Sequence, residues 1–66
     1  MNLDENQIRR MTLFIVGSAV DALRDGKLSE NDALKEIDDA MRIASDKERD
    51  GLVERAIVAM GRDQRR

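Results

Sequence analysis

Apolar residues recur along this chain at helical spacing, and one stretch carries more of them than a single helix contact can cover. Between Ile8 and Leu23, Ile8, Met11, Leu13, Ile15, Val16, Ala19, Val20, Ala22 and Leu23 sweep roughly 200° of a helix surface at about 100° per residue. One neighbouring helix cannot bury so wide an arc. The pattern predicts either the centre of a small bundle or a helix whose second side is covered by another molecule.

The first helix is expected over about 5–25. Asp4 stands where an N-cap belongs with Gln7 three residues on, Leu3 and Ile8 occupy staple positions, and Gly26 supplies a left-handed stop. A second helix follows over about 30–45, opened by Ser29 with acidic residues in its first turn. It presents Ala33, Leu34, Ile37, Ala40, Met41 and Ala44 on one narrow face. Ser45 to Glu48 reads as a capping box for a third helix over about 46–60, with Leu52, Val53, Ala56, Ile57, Ala59 and Met60 facing inward and Gly61 as its stop. The rival break is Gly51, which would lengthen the second helix. The expected fold is all-α, a small three-helix bundle or helical hairpin, as a single domain over 1–61 with a basic tail at 62–66.

Composition sharpens this toward assembly. The chain has 66 residues, no cysteine, no histidine and no proline, so neither a disulfide nor a zinc staple is open to a domain too small to bury a large core. A second subunit or an unusually well-packed monomer remains as the means of stabilisation, and a homodimeric helical bundle is expected. No apolar run approaches the ~20 residues that cross a bilayer. The acidic start Asp4-Glu5 is unlike a secretory leader. With the lack of cysteine this fits a cytoplasmic protein.

Two sets of side chains off the main apolar faces are candidates for contact with other molecules. Phe14, the only aromatic residue, projects with Gly17 from the far side of the first helix, while Leu13 and Val20 widen its apolar arc. These four are the expected dimer interface. On the second helix Asp32, Glu36, Asp39 and Ile43 follow i, i+4, i+7, i+11 spacing along one ridge. They form either a solvated acidic face ending in an Ile that a neighbour covers, or a docking ridge for a basic partner. We take the ridge as the partner-binding surface.

Other chemistries have less to stand on. Catalysis would have to proceed without His, Cys or Tyr, and no constellation of carboxylate, Lys, Ser and Thr resembles an active site; no enzyme activity and no cofactor are expected. Asp21 to Asp32 resembles an EF-hand calcium loop, with acids at the first, fifth and twelfth positions and Gly26 at the sixth. It departs from that pattern at Leu23, where an oxygen ligand belongs, and at Asp32, where the longer Glu belongs. Nine of the twelve basic residues are Arg, with Arg9 and Arg10 adjacent and Arg62, Arg65 and Arg66 near the end, which makes nucleic-acid binding an alternative. The net charge of −2 opposes it. The expectation is a protein-protein interaction module, homodimeric, acting as a regulator or inhibitor by occluding another protein (anti-activator, antitoxin-like or mobile-element inhibitor).

Overall fold

The computed structural model describes the backbone of residues 4–64 and side chains through residue 62. Leu3, Arg65 and Arg66, invoked above for a staple and a basic tail, lie outside the described residues. Three helices pack together, α1 (Glu5–Arg24), α2 (Glu30–Ser45) and α3 (Arg49–Gln64), with no strand among the described residues. The central helix is α1, which packs against both others, while α2 and α3 meet less extensively. None of the helices is long and apolar enough to cross a membrane, among the described residues.

Local chemistry sets the boundaries. The Gln7 amide donates to the Asp4 carboxylate at 2.8 Å and the Asp4 amide donates back to the Gln7 side chain at 2.9 Å, closing a capping box at the start of α1. Its far end is a Schellman turn, in which Lys27 N–H donates to the Ala22 carbonyl and Gly26 N–H to that of Leu23, with Gly26 at φ +77°. Ser29 caps α2 by accepting from Asp32 N–H at 3.1 Å.

The α2–α3 junction is built differently from the expected capping box. Ser45 stays helical as the last residue of α2, and a second Schellman turn follows, with Glu48 N–H donating to the Ile43 carbonyl and Lys47 N–H to that of Ala44. Helix α3 starts only once that turn is complete, when the Glu48 carbonyl accepts from Leu52 N–H. Nor is Gly51 a stop. It lies in the first turn of α3, where an added Cβ would come within 3.0 Å of Ile43 Cγ2, so the missing side chain lets Ile43 pack against the backbone. Gly61 likewise lies inside α3, which places Arg62 in the helix rather than in a tail.

Lys47 occupies the left-handed position of this turn at φ 57°, a conformation that disfavours any residue with a Cβ by roughly 1 kcal/mol or more. Its exposed ion pair with Glu5 at 3.8 Å offsets little of that. Lys47→Gly is therefore expected to raise the melting temperature by about 4–8 °C in a thermal circular-dichroism scan. An unchanged or lower value would show that the turn is not strained.

The core is small and rich in alanine. Its only large members among the described residues are Ile15, Ile43 and Leu52, joined by Ala19, Ala22, Ala33, Ala40, Ala56 and Ala59. Alanine at most crossing points lets the helices approach closely, but each such residue removes little apolar area from water.

Candidate functional site

Ten large apolar side chains remain at least a third exposed, against three that are buried, among the described residues. The imbalance follows from how the helices are rotated. In α3, Leu52, Ala56 and Ala59 turn inward, so Val53, Ile57 and Met60 face solvent instead of the core. In α2 the buried line is Ala33, Ala40 and Ile43, which leaves Leu34 and Met41 outside.

The exposed residues fall on two separate faces of α1. On the side next to α2, Leu13, Val20 and Leu23 stand exposed beside half-buried Val16. This side opens into a groove of about 470 Å³ floored by Ile8, Thr12, Val16 and Ala44, with Leu13 and Met41 on its walls and Glu5, Arg9 and Lys47 along its rim. On the side next to α3, Phe14 is 40% exposed. Phe14 stands one turn before Ser18, whose hydroxyl accepts a hydrogen bond from Arg62 of α3. The four residues expected to form one dimer interface are thus divided, with Leu13 and Val20 on the groove side, Phe14 about 100° from Leu13 toward α3, and exposed Gly17 between.

The acidic ridge of α2 largely turns out to face the protein itself. Ile43 is only 5% exposed and belongs to the core cluster with Ile15, Ala40, Leu52 and Ala56, so of the two readings of the ridge its aliphatic end follows the one in which a neighbour covers it. The reason is that α3 lies against this side of α2. The Glu36 carboxylate accepts from Arg62 Nη1 at 2.8 Å, with both side chains more than four-fifths buried, and Arg62 Nη2 donates to Ser18 Oγ at 2.6 Å. One guanidinium thereby joins all three helices. Asp39, half-buried, pairs with Arg55 at 3.5 Å and with Arg42 at 3.7 Å. Of the four ridge residues only Asp32 is fully exposed.

Cations elsewhere are interleaved with acids in the same way. Six of the seven described Arg side chains, all but Arg10, lie within 4 Å of a carboxylate. Among the described residues these cations therefore alternate with acids instead of forming an unbroken basic run of the kind that follows a phosphate backbone. The EF-hand-like segment is occupied by helix signals: Asp21 to Leu23 stay in α1, the Asp21 carboxylate accepts from Arg24 at 3.0 Å, and Gly26 and Ser29 serve the two caps. Among the described residues no three acidic, His or Cys side chains converge on a common point.

No protein-family model, curated protein or solved structure matches the chain. Sequence periodicity identified the excess of apolar residues on α1 but placed Val53, Ile57, Met60, Leu34 and Met41 inside. The alanine-to-large ratio on each face was the signal that could have separated them, since the smaller residues take the closest approaches.

Proposed function

We propose that this chain is a non-enzymatic protein-interaction module that pairs with itself and regulates another protein by covering one of its functional surfaces. The observation that carries this reading is the excess of large apolar side chains outside over inside. Monomeric proteins rarely leave contiguous apolar patches beyond a few hundred Å² in water. Two faces favour two uses, one for a second copy and one for a different protein.

The outer face built around Phe14, Val53, Ile57 and Met60 is the better candidate for the different protein, in place of the acidic ridge, where Glu36 and Asp39 are paired with arginines of the same chain and Ile43 is buried. An aromatic anchor among aliphatics is the usual centre of a strong contact. Binding there would occlude whatever the partner displays, in the manner of an inhibitor or anti-activator. A cytosolic setting belongs to the same proposal, since a chain without cysteine gains nothing from an oxidising compartment.

Affinity purification of the tagged protein from its native cell, alongside Ile57→Glu, tests this. A protein recovered in near-stoichiometric amount with wild type and lost with I57E is expected. Recovery of nucleic acid in place of protein, sensitive to nuclease and to salt, would sink it.

A further inference from the structure

Along the groove side of α1 the residues Leu13, Val16, Val20 and Leu23 are spaced three, four and three apart, and their order Leu-Val-Val-Leu reads the same in both directions. Such a stripe has the 3.5-residue period of a coiled-coil seam. Reversed end for end, it superposes on itself in both spacing and side-chain size. That is the requirement for a two-fold contact, in which the same patch serves both subunits.

We propose that α1 packs antiparallel on α1 of a second copy through this seam, so that Leu13 meets the partner's Leu23 and Val16 meets the partner's Val20. The inference rests on the self-association proposed above and adds its surface, orientation and register. Two α1–α2 hairpins then make a four-helix core. Leu34 and Met41, seven residues apart on α2 and both more than half exposed, flank the seam and close over the incoming helix. Arg9 and Lys27 stand four residues beyond either end of the stripe and terminate the contact. Glu5 lies 3.8 Å from the Arg9 guanidinium and offsets its charge there.

The area agrees with a second copy. The exposed fractions of Leu13, Val20, Leu23, Leu34 and Met41 amount to on the order of 500 Å² per subunit, so a pair buries about 1,000 Å², the size at which specific interfaces begin. Phe14, Ile57 and Met60 stay outside this dimer, because α3 lies on the opposite side of α1 from the seam. The two apolar faces therefore do not compete.

The chain has no cysteine, so introduced ones report geometry directly. Wild type is expected to sediment as a dimer at micromolar concentration. Val20→Glu should weaken dimerisation about 100-fold or more by placing a charge in the seam, while Ile57→Glu leaves it unchanged. Under mild oxidation a mixture of Leu13→Cys and Leu23→Cys proteins should give a mixed disulfide dimer, and L13C alone should give none. The cross-linking arm keeps the test valid if V20E fails to fold. A monomeric wild type overturns self-association and the seam together. A dimer that cross-links through L13C alone, or that I57E rather than V20E dissolves, overturns the seam and leaves self-association standing.

Discussion

Replacing Arg62 by alanine is expected to lower the melting temperature by roughly 10–20 °C, the equivalent of about 2–3 kcal/mol in a domain of this size. Arg62 ends on Glu36 of α2 and Ser18 of α1 from the last turns of α3, and both charged side chains are mostly removed from water. The alanine variant leaves the Glu36 carboxylate in that setting without its guanidinium, and an uncompensated charge away from water costs far more than the ion pair contributed. Exposed pairs such as Arg9–Glu5 and Arg24–Asp21 should by contrast each change stability by less than about 1 kcal/mol when broken. The decisive comparison is a double replacement, Glu36→Leu with Arg62→Met, which removes both charges and restores apolar volume. It is expected to recover most of the loss. If R62A unfolds within about 2 °C of wild type, the three-helix junction is not holding the fold.

Ile15→Ala should destabilise the fold by about 3 kcal/mol. Ile15 is fully buried, and among the described residues Ile43 and Leu52 are the other large side chains of a centre otherwise made of alanine. Ile8 and Met11 pack against this cluster from its half-buried edge, and the cost depends on how far they close over the space left behind. For a domain of 66 residues such a loss approaches the whole stability of a single folded chain. Urea titration with circular dichroism gives the measurement, and a shift below about 1 kcal/mol would mean that the alanine contacts dominate. Repeating the titration over a hundredfold range of protein concentration separates the two sources of stability. The midpoint should rise with concentration if association contributes.

Much of the architecture was legible in the residues and much of the surface was not. Asp4 with Gln7, Gly26 and Ser29 mark helix ends through interactions only a few residues long, and local interactions can be read from local sequence. The α2–α3 junction resisted because Ser45 and Glu48 have the spacing of a capping box while the backbone closes a Schellman turn over the same residues. Which of the two wins depends on Ile43 docking against Gly51, a contact between helices. The rotation of each helix about its own axis was hidden for the same reason. Apolar periodicity marks a broad arc but does not say which part of it sits at the closest approach, so Leu34 and Ile57 were expected inside and Ile43 on a partner. The pairing of Glu36 with Arg62 spans 26 residues and that of Ser18 with Arg62 spans 44. No local pattern announces either.

Those separations also order the folding of the chain. Both connections are short, but α1 and α2 pack against each other far more extensively than α2 and α3 do, so the α1–α2 hairpin gains most for a small entropic cost, whereas the Arg62 clasp requires the whole intervening chain to be gathered first. The hairpin is the natural nucleus and α3 docks onto it last. Before docking, Ile15 and Ile43 lie bare on one side of the hairpin while the Leu13–Leu23 stripe lies bare on the other. An early hairpin thus has two sticky sides, and which finds its cover first, α3 or a second chain, depends on how crowded with its own kind the newly made protein is.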